Sequence, residues 1–228
     1  MRFLGIKPLS MKKILFLLTF FAGLQISAQQ KSTSEKMLEE IQYTRQTQGN
    51  LKLVWWIPAD YWEIAIEENG GATPEQINYI KSLLEEYTII IVGDYTILSP
   101  DNTIDFKINK IGKDVILYGL QGEKVPSLKD SQVDEKVLTM INEVLKPLFT
   151  EMAGKMGSGL SFFVYNNKRD GKIIIDPRKS GEFRVEVNHD VFKWQLPLVS
   201  LLSDKICPID QQKMSGNWNF CPFHGNKL

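Results

Sequence analysis

Cysteine is nearly missing from this chain of 228 residues: there are two, Cys207 and Cys221, and both lie close to the C-terminus. The rest of the molecule must therefore build its core without disulfide staples, and the pair has a local task in the tail. Histidine is equally scarce, with His189 and His224 alone. His224 belongs to the tail, which leaves His189 as the only base for a Ser-His-Asp arrangement, and no G-x-S-x-G elbow accompanies it. An H-E-x-x-H helix and a phosphate-cradling glycine loop are missing as well. There is no excess of positive charge, with 27 basic against 27 acidic residues. That balance, which turns slightly acidic once the expected leader is removed, argues against the basic face that nucleic acid or an anionic membrane would need. The apolar run at 14–24 falls short of the roughly 20 residues that a membrane-spanning helix requires.

That run has another use. Met11-Lys12-Lys13 gives it a basic start, and Ile26-Ser27-Ala28 supplies small residues before Gln29. The pattern predicts an export signal over 1–28, cut after Ala28. The mature protein is then periplasmic or secreted and keeps no membrane span. Removal of Arg2, Lys7, Lys12 and Lys13 with the leader tips the balance to a slight acidic excess. About 200 remaining residues suffice for one domain with a real core at 29–203 and a small appendage at 204–228.

The appendage holds most of the potential chemistry. Cys207-Pro208-Ile209-Asp210 and Cys221-Pro222-Phe223-His224-Gly225 are matched knuckles, joined through the turn-forming Ser215-Gly216-Asn217. Such turns bring four donors around one tetrahedral ion, so Cys207, Asp210, Cys221 and His224 form a candidate structural zinc site. The alternative is a disulfide between Cys207 and Cys221, which an oxidising compartment favours and whose loop would contribute roughly 3 kcal/mol. The compartment gives the disulfide a narrow preference over zinc, with two free thiols as the remaining case, and either bond makes the tail a stabilising clip. The segment resembles the small zinc-ribbon modules written C-P-x-C-G … F-C-P-x-C-G-x-x-L. It keeps Cys207, Pro208, Phe220, Cys221, Pro222, Gly225 and Leu228 but carries Asp210 and His224 where those modules have cysteine. With its leader and its W-W-I-P-A-D-Y-W segment, the chain is similar to uncharacterised exported bacterial proteins that end in a cysteine-proline knuckle pair. That resemblance implies no activity.

Trp55, Trp56, Tyr61 and Trp62 gather four aromatics in a short stretch. They are candidate ligand-facing rings for a sugar or a peptide, although alternation along a strand puts Trp55 and Trp56 on opposite faces and aromatic rings mostly fill cores. Asp60, Glu63 and Glu67 beside them could do acid–base work only with a cleft and shifted pKa values. His189, in Asn188-His189-Asp190, suits a tight hairpin turn.

The periodicity predicts an α+β fold. A capping box at Ser32–Glu35 opens a helix carrying Met37, Leu38 and Ile41, which Gly49-Asn50 ends. A strand at 51–57 and a short helix after Pro58 follow, and Thr73-Pro74-Glu75-Gln76 opens another helix. Two β-rich stretches come next, strands at 88–92, 95–98, 104–108 and 115–118, then at 160–165, 172–176, 183–187 and 191–196. Gly93-Asp94 reads as a turn and 166–171 as a charged loop tip. The short connections favour antiparallel pairing. Between the stretches lies a long helix from Ser131 to about Lys155, with Val133, Val137, Met140, Ile141, Val144, Leu148 and Met152 as one apolar stripe. Pro147 should kink or divide it. The expected function is a non-enzymatic binding or interaction module of the bacterial envelope, with a protein or glycan partner. The alternatives are a carboxylate-dependent hydrolase of glycans or peptides, and a metal-binding protein acting through the knuckles.

Overall fold

Ser32 opens the fold as a helix cap. Its hydroxyl accepts from the Glu35 N–H at 3.2 Å, and the Glu35 carboxylate accepts from the Ser32 N–H at 2.9 Å, the reciprocal pair of a capping box. The computed structural model describes residues 31–70, 72–98, 105–112 and 115–228, so the leader expected at 1–28 lies outside them. Residues 32–228, tail included, form one unit.

Helix α1 (Thr33–Ile41) buries Met37 and Ile41 and stops earlier than expected. The polar residues after it form an edge strand, β1 (Gln42–Thr47), paired with β2 (Asn50–Trp56) across a turn in which Gly49 has φ 76°. The mostly exposed β1 has no inward apolar alternation to announce it. β3 (Tyr87–Leu98) pairs β2 on one side, while its other edge is shared by β4 (Asp105–Ile108) and β7 (Ser161–Asn166). The turn expected at Gly93-Asp94 is not made, and β3 runs straight through it. Gly93 is instead the place where the Tyr95 ring folds back: a Cβ there would stand 2.5 Å from Tyr95 Cε2. The Tyr95 hydroxyl then donates to the Met156 carbonyl at 2.5 Å.

The second sheet has the order β11-β10-β5-β6, from β5 (Val115–Tyr118), β6 (Lys124–Val125), β10 (Gly181–Val187) and β11 (Asp190–Leu196). The strand expected at 172–176 shrinks to β9 (Lys172–Ile173), paired with β8 (Lys168–Arg169) inside the expected loop. All these pairings are antiparallel, and the fold is α+β.

The two sheets pack face to face, with Val54, Trp56, Ile90 and Val92 meeting Phe183, Val185, Phe192 and Trp194. Trp56 meets Phe183 edge-on at 4.7 Å between centroids, and Phe183 stacks on Trp194 at 4.9 Å. The opposite face of the first sheet, with Leu53, Ile89 and Ile91, lies under the helices. Burial on both faces explains why Ile89–Val92 reads as an unbroken apolar run rather than an alternation.

The covering helices are α2 (Ala59–Asn69), α3 (Pro74–Leu84) and a composite of α4 (Glu135–Thr139), a π segment (Met140–Leu145) and α5 (Lys146–Ser158), which is kinked at Gly154, where φ is 53°. α3 carries the expected capping box between Thr73 and Gln76. Pro147 does not divide the composite helix. The π segment ends two residues before it, and its wider i→i+5 turns loosen the backbone where proline lacks a donor and crowds the preceding turn. The rephasing splits the predicted stripe. An α-helix drifts by about 40° every four residues, and the wide turns offset that drift. Val137, Ile141 and Leu145 therefore all reach the core, with Phe149 packed beside them, while the buried Val133 precedes the helix on extended backbone, because the helix begins at Glu135 rather than at Ser131. Val144, Leu148 and Met152, expected in the buried stripe, are exposed.

Candidate metal centre

The two knuckles are built alike. β12 (Lys205–Ile206) pairs with β13 (Lys213–Met214) to close the first, and a bridge between Phe220 and Lys227 closes the second. In the first, the Cys207 N–H donates to the Gln212 carbonyl at 2.9 Å, and the Cys207 carbonyl accepts from the Gln211 N–H at 3.0 Å. In the second, the Cys221 N–H donates to Asn226 at 2.7 Å, and its carbonyl accepts from Gly225 at 2.8 Å. The equivalent residues Gln211 and Gly225 both take left-handed backbone, with φ 61° and 69°. Between the knuckles the Trp218 N–H donates to the Ser215 carbonyl at 3.1 Å, closing the turn expected there.

This shared backbone path folds each cysteine toward the side chain three residues on. His224 Nδ1 lies 3.4 Å from Cys207 Sγ and 3.6 Å from Cys221 Sγ, and 3.9 Å from Asp210 Oδ2. The donor atoms of Cys207, Cys221 and His224 all lie within 4.8 Å of one another, close enough to bind a metal ion. Zinc–nitrogen bonds near 2.05 Å and zinc–sulfur bonds near 2.3 Å set a tetrahedral N···S edge of about 3.6 Å, which the two sulfur distances match. Both cysteines are buried and are free thiols in the structure. They form a small core of their own with Met214, against which Leu228 packs.

The site's electrostatics differ between its arms. Burial pushes the Cys207 thiol up. Burial also pushes on Cys221, but the N–H groups of His224 and Phe223, the His224 ring and Cys207 together outweigh it and hold that thiol below its ordinary value. The Asp210 carboxyl is held low mainly by the Gln212 N–H, which it accepts at 3.1 Å, with Cys207 and His224 adding to the effect.

The other candidates do not converge. Trp56 is buried between the sheets and Trp55 packs under α5, 5.5 Å from Phe149, so these two do not make a platform, whereas Trp62 lines an apolar groove. Tyr61 and Trp62 meet each other edge-on at 5.5 Å and are half-buried. Asp60 faces a cleft of about 200 Å³, where Arg178 donates to its Oδ1 from Nε at 2.9 Å and from a terminal nitrogen at 2.8 Å. Glu63 pairs with Lys81 at 2.6 Å, and Glu67 is exposed. His189 sits in the β10–β11 turn with φ 71° beside Asn188 at 48°, as turn chemistry expects.

Two features escaped the sequence. Buried Lys52 pairs with Asp190 and lies 3.8 Å from Asp94, while Arg45 holds Asp190 at 2.7 Å. Asp94 also accepts from Asn50 at 2.9 Å and from Asn109 at 2.8 Å. Its members come from scattered strands and turns, with no spacing to betray them. The second feature is an apolar groove of about 800 Å³ between α2, α3 and the composite helix, lined by Trp62, Ile66, Tyr79, Leu83, Met140 and Val144 among others. No helix among the described residues is long and apolar enough to cross a membrane. Compared with known proteins, the chain matches no family model, no curated protein and no solved structure.

Proposed function

We propose that this protein is an exported, non-enzymatic binding module of the bacterial envelope whose segment 204–228 is a structural zinc site. The observation that carries the metal reading is the shared hydrogen-bond path of the two knuckles, which aims two thiols and an imidazole at one point. Thiolate, imidazole and carboxylate together make a donor set suited to zinc. Asp210 is the fourth ligand. Its oxygen lies 3.9 Å from His224 Nδ1, against a tetrahedral N···O edge of about 3.3 Å, and it stands outside the three-donor group of Cys207, Cys221 and His224, so it reaches the ion only if its side chain shifts. Four protein donors leave no place for a reactive water, so the ion acts as a staple. It has much to hold, because the tail's own core consists of Cys207, Met214 and Cys221 with Leu228 against them.

Binding rather than turnover is supported by the state of the carboxylates, since Asp60 and Glu63 are each tied to a cation. Export rests on the leader pattern at 1–28. Native mass spectrometry of protein purified without reductant or chelator tests the centre. The expected species carries one zinc, lost in Cys207→Ser and His224→Ala. A metal-free chain two hydrogens lighter, with Cys207 bonded to Cys221, would overturn the zinc reading and leave a disulfide clip in its place.

A further inference from the structure

The π segment leaves one side of the composite helix apolar and uncovered. Val144, Leu148 and Met152 are 54%, 44% and 72% exposed, and with Met140 they form a row at four-residue spacing. The row begins in the groove, which Met140 and Val144 help to line, and runs on past it along α5. Tyr79, 50% exposed, stands on the opposite wall. A contiguous apolar surface of this kind marks an interaction site, methionines suit a wall that must adapt to its guest, and π turns often accompany function.

The length and the charge of this surface select its occupant. A small molecule would fill the groove and leave Leu148 and Met152 in water, whereas a helix laid along the row covers all of it, through anchors at i, i+3, i+4 and i+7. The adjoining row of the same helix is Glu143, Pro147 and Glu151, all exposed, and Glu135 lies on the groove wall. None of these three glutamates has a cationic partner among the described residues. Of the nearby cations, Lys155 is neutralised by Asp105 at 2.9 Å, while Lys146, donating to Asn142 at 2.7 Å, and Lys136, on the groove wall over the Tyr79 ring at 5.2 Å, keep their charge, so the glutamates outnumber them three to two. A second copy docked antiparallel would set the glutamate row against its own twin, and an anionic lipid surface would meet the same repulsion.

We infer that the groove and the row beyond it bind an amphipathic helix of a partner protein, with its apolar face seated against Met140, Val144, Leu148 and Met152 and its flank basic. This deepens the binding-module reading and is independent of the metal, because the variants that test it leave residues 204–228 untouched.

The test uses the purified metal-loaded protein and three fluorescent synthetic peptides: a leucine–lysine amphipathic helix, a leucine–glutamate twin, and a leucine–lysine peptide scrambled to abolish its apolar face. Anisotropy should show the first binding at least about tenfold more tightly than either control, more weakly as salt rises. The double variant Val144→Ser/Leu148→Ser should lose that preference with an unchanged melting temperature, and Glu143→Lys/Glu151→Lys should shift it toward the glutamate peptide. Equal binding of ordered and scrambled lysine peptides would overturn the inference, as would indifference to both variants. So would a dimer in sedimentation that Val144→Ser/Leu148→Ser dissolves, which would give the face to a second copy, or binding to anionic vesicles lost in the same variant, which would give it to a membrane. Loss of zinc with peptide binding intact would count against the metal reading alone. Zinc retained with no peptide binding would count against this inference alone.

Discussion

Lys52 on the central sheet is ion-paired with Asp190, the first residue of β11 in the facing sheet, so one side chain joins the two layers. Lys52 is 7% exposed and Asp94, its cross-strand neighbour, 6%. Removing the cation strands a buried carboxylate, so Lys52→Met should destabilise the fold by about 3 kcal/mol, whereas Asp190→Asn, at a partly open site, should cost about 1 kcal/mol. Urea titration of both variants checks the order, and a larger loss for Asp190→Asn would contradict it.

The same pair gives a pH dependence. The Lys52 hydrogen bond, with Arg45 adding to it, holds the Asp190 carboxyl below its ordinary value. The folded form thus binds that proton less tightly than the unfolded chain. Its stabilising effect is complete above the ordinary carboxylate range, near pH 4, and fades as pH falls through the lower folded value. Acid unfolding followed by circular dichroism should show a shallower loss of stability below pH 4 in Asp190→Asn than in the parent protein.

The composite helix offers a sharper contrast. Leu145 is 2% exposed and Leu148 44%. Leu145→Ala should cost about 2–5 kcal/mol, while Leu148→Ala should stay within about 0.5 kcal/mol. Similar losses at the two positions would mean that the helix keeps ordinary α phase through Pro147.

In the tail, Gln211 holds the left-handed conformation that its counterpart Gly225 adopts freely. Gln211→Gly should stabilise the metal-loaded protein by about 1 kcal/mol. Gly225→Ala, where a Cβ would meet open space, should cost about the same through backbone strain alone. Thermal unfolding at fixed zinc concentration measures both.

Local signals were legible wherever one segment carried its own instruction. The capping boxes at Ser32 and Thr73, the Asn188-His189 turn and the knuckle spacing all appear as the residues imply. What stayed hidden depends on partners far along the chain. Gly93-Asp94 reads as a turn until Tyr95 is seen folded over the glycine and Lys52 beside the aspartate. β1 is too polar to announce itself, yet Tyr43 within it reaches the Lys193 carbonyl and meets the Trp194 ring at 4.9 Å. The stripe on the composite helix follows from the α period, and a π segment changes that period without leaving a distinct mark in the sequence. Of the four donors that the spacing predicts, Cys207, Cys221 and His224 come together and Asp210 is left outside the group, because each knuckle is a local turn and only their juxtaposition is tertiary.

One contact bears on how the molecule is made. The indole of Trp194 donates to the carbonyl of Ile41 at 3.3 Å, and Glu40 accepts from the N–H groups of Val199 and Ser200 at 2.7 and 3.0 Å. The earliest helix of the described chain is thus fastened to nearly the latest part of the main domain. Wherever the polypeptide emerges N-terminus first, from a ribosome or a translocation pore, α1 has to wait for most of the sequence before it finds its seat. The core between the two sheets therefore closes late, and until Trp194 arrives the emerging chain shows the apolar faces of α1 and the first sheet to whatever chaperones are at hand.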